Sequence, residues 1–82
     1  MTIAKPYHSE RRTIWYVHDG DTCVATLEIG QYYRSDVGNL YRLRDVTWHT
    51  GYVTVERMVG NNPDSVHTWR IESLVNSHMT LE

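Results

Sequence analysis

The chain has 82 residues, a formal net charge of −2 and 40% hydrophobic residues. That length sustains one small domain with a single core, burying roughly 60–65% of the surface its unfolded form exposes. Interspersed charges of both signs exclude a strongly basic nucleic-acid domain and an acidic mimic of DNA, and no run approaches the roughly 18 apolar residues of a membrane span.

The opening residues, Met1-Thr2-Ile3-Ala4-Lys5-Pro6, lack the apolar stretch of a secretion signal. Cys23 is the single cysteine, so no internal disulfide can form, and a reducing cytoplasm is the expected compartment. Two biases stand out: phenylalanine is absent, and seven of the basic residues are Arg against one Lys, Lys5. Tyr, Trp and Arg are the residue types enriched at interface hot spots.

Residues 1–12 are polar, contain Pro6 and follow neither a period of 2 nor one of 3.6; they read as a flexible or loosely docked arm. A β-hairpin is expected over residues 13–29. Its strands are Thr13–His18 and Thr22–Ile29, and its turn is Asp19-Gly20-Asp21, since Asp-Gly between β-prone runs favours a tight hairpin. In the second strand Cys23, Ala25, Leu27 and Ile29 share the face expected to be core. Trp15 and Val17 share one face of the first strand, leaving Ile14 and Tyr16 on an apolar second face. An antiparallel meander follows Gly30, with turns at Asp36-Val37-Gly38-Asn39 and Trp48-His49-Thr50-Gly51. Tyr41 and Leu43 alternate, but the apolar set resumes at Val46 and Trp48; that slip predicts a β-bulge near Arg44-Asp45. Val53 and Val55 are expected inside, with Tyr52, Thr54 and Glu56 outside. Gly60–Ser65 reads as a polar loop, and Val66–Ile71 as a strand with Trp69 and Ile71 inward. Glu72–Ser77 is short enough for a single 3₁₀ turn, and His78–Leu81 closes the chain with Met79 and Leu81 buried. Leu81-Glu82 matches a pair left by cloning ahead of a tag, so no functional weight falls on Glu82.

The order strand, turn, strand, turn, strand, loop, strand, helical turn, short strand resembles an all-β, small SH3-like barrel of five short antiparallel strands over residues 30–81, preceded by the hairpin of 13–29. The spacings Gly-x-x-Tyr-x-Ser, Gly-x-x-Tyr-x-x-x-x-Val, Val-x-Val-x-Arg and Trp-Arg-Ile-x-x-Leu are similar to short uncharacterised proteins encoded by phages and prophages. The length implies one domain over 1–82, and the resemblance implies that it works in the host cytoplasm. The resemblance also implies a non-catalytic accessory protein that binds a host or defence factor, as an anti-CRISPR inhibitor does. In SH3-like barrels ligands lie across loops that correspond here to Ser35–Asn39 and Trp48–Gly51.

No motif for chemistry emerges. The five histidines, Cys23 and the carboxylates show no metal-ligand spacing, and Asp19-Gly20-Asp21 lacks the later ligands of a calcium loop. Cys23 reads as a buried, inert thiol. The serines lack a nucleophile elbow, and the five glycines are scattered singly rather than forming a phosphate loop. No enzyme, cofactor or metal is expected. The set worth weighing is Tyr33, Arg34, Arg42, Arg44, Trp48, Tyr52 and Arg57, joined by Arg70. Arginines beside rings serve a protein interface, stack on bases while contacting phosphates, or simply cover a barrel while pairing with Asp45, Glu56 and Glu72. A protein partner leads and nucleic acid is the alternative, because the balanced charge offers little attraction to phosphates. The apolar second face of the hairpin adds the expectation of a homodimer.

Overall fold

The computed structural model describes residues 1–76 and 79–82. Over these described residues the fold is all-β, with two antiparallel sheets and one short helix. In the first sheet β3 (Arg12–Asp19) is central and pairs with β1 (Thr2–Ile3), β2 (Tyr7–Ser9) and β4 (Thr22–Leu27). The second has five strands, β5 (Tyr32–Arg34), β6 (Leu40–Thr47), β7 (Tyr52–Val59), β8 (Asn62–Arg70) and β9 (Thr80–Leu81), in the order β8-β7-β6-β5-β9. The helix, α1 (Ile71–Val75), links β8 to the last strand.

The amino-terminal residues are not an arm. Ile3 lies opposite Val17, Tyr7 opposite Ile14, and between them the Ala4 N–H donates to the Tyr16 carbonyl at 2.8 Å. Backbone pairing needs no side-chain periodicity, and Pro6, which has no N–H to give, falls at the break between the two short strands.

The hairpin forms with its turn one residue later than Asp-Gly, at Gly20-Asp21, between paired Asp19 and Thr22. The same two-residue device recurs at Gly60-Asn61, between Val59 and Asn62. Glycine at the first central position with φ near +61° is what a type II′ turn demands. The second turn corrects the expected Gly60–Ser65 loop. β8 already starts at Asn62, and Pro63 is tolerated because β8 is an edge strand.

Three ladders slip by one residue. Leu43 opposes Val55 but Asp45 opposes Thr54, so the predicted bulge exists and its extra residue is Arg44. Arg57 opposes Ser65 but Met58 opposes Pro63, which leaves Asp64 extra. Val17 opposes Ala25 but His18 opposes Cys23, which leaves Val24 extra. This last slip overturns the expected core face of β4: it turns Cys23 outward, and Cys23 is exposed. Ala25 and Leu27 do face the core, whereas Ile29 lies beyond the strand and is exposed.

The two sheets meet in one core: Ile3, Trp15, Val17 and Leu27 from the first, Tyr33, Leu43, Val46, Val53 and Val55 from the second, and Ile71 and Leu74 from the helix. Among the described residues no ladder joins the sheets, so the expected closed barrel is not formed. The core is walled by two stacked sheets instead of one sheet curled upon itself. The predicted 3₁₀ turn is an α turn, with the Asn76 N–H donating to the Glu72 carbonyl at 2.8 Å. Burying Ile71 and Leu74, three apart on one face, holds it. Met79 is half-buried, but Leu81 is 54% exposed because β9 is an outer edge. Ser77 and His78, expected in the turn and last strand, lie outside the described residues.

Candidate binding face

Residues opposite one another in an antiparallel ladder point to the same side of the sheet. The register therefore assigns two faces to β5–β8. Tyr33, Tyr41, Leu43, Val46, Val53, Val55 and Trp69 turn toward the first sheet and belong to the core or pack against it. The opposite face carries four groups, one of them the row Asp45, Thr54 and Thr68. Another row is Tyr32, Arg42, Glu56 and Val66; beside it run Arg34, Leu40 and Met58; at the far end stand Thr47, Tyr52 and Arg70.

Glu56 organises this outer face. It is only 8% exposed despite pointing away from the core, because two arginines lie over it. Arg42 donates through Nε to Glu56 Oε2 at 3.1 Å and again through Nη2, while Arg44 Nη1 lies 3.5 Å from Oε1. Arg44 follows Arg42 by two residues and so shares its side of β6, and the bulge adds Asp45 to that side. Hydrogen bonding to Glu56, with a smaller contribution from Tyr32, holds the Arg42 guanidinium in its charged form above the ordinary range. The outcome is a pair of forked donors pre-set by a buried carboxylate. At the far end the Arg70 guanidinium sits 6.0 Å from the centre of the Tyr52 ring.

Of the residues singled out from the sequence, Arg34, Arg42, Arg44 and Tyr52 share this face. Tyr33 does not. It is 8% exposed and part of the core, its hydroxyl donates to Gln31 Oε1 at 2.8 Å, and burial pushes its phenol up to about 12. Arg57 belongs to the other side, opposite Tyr41 and Ser65, where it pairs with Asp64 at 3.7 Å and Asn39 Oδ1 at 3.5 Å. Trp48 stands in the turn after β6. It is half-buried, packs against the core with its ring 5.6 Å from His49, and lines a cavity with Met1 and Ile3. Sequence reasoning missed Tyr32, and it placed Glu56 outward without its burial. Of the adjacent pair Tyr32-Tyr33 only one ring can face inward, so the available signal was the phase of that strand.

Ser65 Oγ lies 2.8 Å from His67 Nε2, but no carboxylate among the described residues hydrogen-bonds His67 to orient it as a base. The neighbours of His67 are rings: Trp69 stacks at 6.1 Å and Tyr41 meets it edge-on at 6.2 Å. Among the described residues no group of three or more His, Cys, Asp or Glu side chains is placed to hold a metal ion, and no helix is long and apolar enough to cross a membrane. No family model matches the chain, and no curated protein or solved structure matches it either.

Proposed function

We propose that this chain is a non-catalytic binding module that engages a protein partner stoichiometrically through the outer face of β5–β8. One observation carries the reading: two arginines are held over a buried glutamate on a sheet face where Tyr32, Tyr52 and Val66 are exposed. Burying a carboxylate is costly unless it is fully paired, and here the pairing fixes two guanidinium groups over Glu56 next to Tyr32, on a face that carries Tyr52 and Arg70 at its far end. Rigid rings and pre-set guanidinium groups bind with small loss of side-chain freedom.

Nucleic acid remains the second reading, but the charge on the face is already largely answered. Arg42 and Arg44 share Glu56, Arg34 pairs with Glu82, and Asp45 lies on the same face. Binding to phosphate chains draws on free positive charge, and little is left.

The wider reading keeps the SH3-like kinship of Gly30–Leu81, supported by the order β9-β5-β6-β7-β8 with a helical turn before the last strand. With it come a phage or mobile-element origin and a host-cytoplasm role as inhibitor of a host or defence factor. A homodimer through the hairpin draws less support, since the bulge at Val24 on β4 is a common obstacle to strand addition.

The test is capture from a bacterial lysate at near-native salt with the immobilised chain, beside an Arg42→Ala/Tyr52→Ala variant of unchanged circular dichroism. The expected result is one protein retained at one-to-one stoichiometry and lost with the variant. Retention of no protein, or equal retention by both, would overturn the proposal. Retention of DNA or RNA that weakens steeply with salt favours the second reading.

A further inference from the structure

Where β5, β6 and β7 meet their turns, the outer face opens into a cleft of about 480 Å³ lined by Tyr32, Arg34, Leu40, Met58, Gly60 and Asn61. Met58 is only 6% exposed, yet it lies apart from the main core cluster, so the cleft has its own buried apolar base. Its wall is a fixed guanidinium: Arg34 Nη1 donates to the Gly38 carbonyl at 3.0 Å, which ties the side chain to the β5–β6 turn. A carboxylate already sits in the cleft. Arg34 Nε donates to Glu82 Oε1 at 2.5 Å, and the Glu82 N–H donates to the Tyr32 carbonyl at 2.9 Å.

We infer that this cleft recognises an acidic protein segment, one Asp or Glu carboxylate on Arg34 with a neighbouring apolar side chain on Leu40 and Met58; Glu82, on which the sequence places no functional weight of its own, only occupies the position of that carboxylate. The inference rests on the proposed binding face and names the chemistry of its partner. Two features favour exchange of the stand-in for a partner's residue. Both members of the Arg34–Glu82 pair are more than 40% exposed, with 46% and 42% of their side-chain surfaces accessible. An ion pair that open contributes little, and so yields readily to a competitor. The segment that carries Glu82 is held by a strand of only two residues, both exposed. A protein carboxylate suits the site better than a phosphate chain, because a single fixed guanidinium above an apolar floor matches one charge with hydrophobic company.

The probe is a fluorescein-labelled peptide, Gly-Leu-Glu-Leu-Glu-Gly, with Gly-Leu-Gln-Leu-Gln-Gly as its control, titrated into the full chain by anisotropy. Glu82→Gln frees Arg34 and is expected to tighten binding of the glutamate peptide by about 3- to 5-fold, the yield of releasing one exposed pair. Arg34→Gln, on an exposed strand position, should abolish that binding with unchanged circular dichroism, and the glutamine peptide should bind neither protein. Equal affinity for the two peptides, or no response to either substitution, would overturn the assignment. Tighter, Arg34-dependent binding of a 12-nucleotide single strand would overturn it in favour of phosphate. An Arg34→Gln chain that still captures its lysate partner, where Arg42→Ala does not, would remove the cleft and leave the wider face standing.

Discussion

Tyr33 provides a test of the core that reads out in pH. Its ring is buried between β5 and the first sheet, and burial raises its phenol from 10.0 to about 12. The cause is desolvation: the phenolate would lose water and gain no cation in exchange. A folded-state value above the unfolded one means that folding favours the neutral form. The contribution is thus complete below pH 10 and is lost as pH rises from 10 toward 12. At about 1.4 kcal/mol per pH unit, the loss is about 1.4 kcal/mol at pH 11 and is capped near 2.7 kcal/mol. Tyr33→Phe removes the titrating group. It also removes the 2.8 Å hydrogen bond to Gln31 Oε1, worth about 1 kcal/mol, while Gln31 keeps its bond from the Glu28 N–H at 3.0 Å. The native chain should be the more stable protein at pH 8, and the two should converge near pH 11. Urea unfolding of both proteins at pH 8, 10 and 11 measures this, because the other tyrosines are common to both and cancel in the difference. Parallel loss of stability in the two proteins would refute the argument, for it would mean that Tyr33 ionises as freely folded as unfolded.

Leu43→Ala should cost about 3 kcal/mol in urea unfolding, since Leu43 is fully buried between Val55 and the first sheet. That is a large share of the stability of so small a domain; a cost below about 1 kcal/mol would mean the two sheets do not pack on one another there. Cys23 should react fully with a small thiol reagent in the native protein, without loss of circular dichroism, because the β4 slip turns it to solvent. Reaction only after addition of denaturant would put it back on the core face.

Local rules in the sequence determined most of the elements. Glycine turns, β-branched runs and alternation marked the strands from Thr13 to Arg70, and the break in alternation after Leu43 located a bulge before any coordinates did. These signals are legible because turn chemistry and the two-residue period act within a few residues. The pairing of residues 2–9 with β3 was not legible, since it is made by backbone groups that every residue carries.

Which side of a strand faces the core, and whether the sheet closes, are decisions of the tertiary structure. A slip of one residue reverses every side chain beyond it, so Cys23 left the expected core face, and the phase of β5 seated Tyr33 inside and Tyr32 outside. The arginines and Glu56 as a partner for them were visible in the sequence; that Arg42 and Arg44 both lie over Glu56 and bury it was not, because only cross-strand register brings β6 and β7 side chains within reach of one another. The sequence alone determined that this chain makes strands and carries arginines and rings. Its tertiary structure decided, through register and the packing of two open sheets, which of them meet at one face.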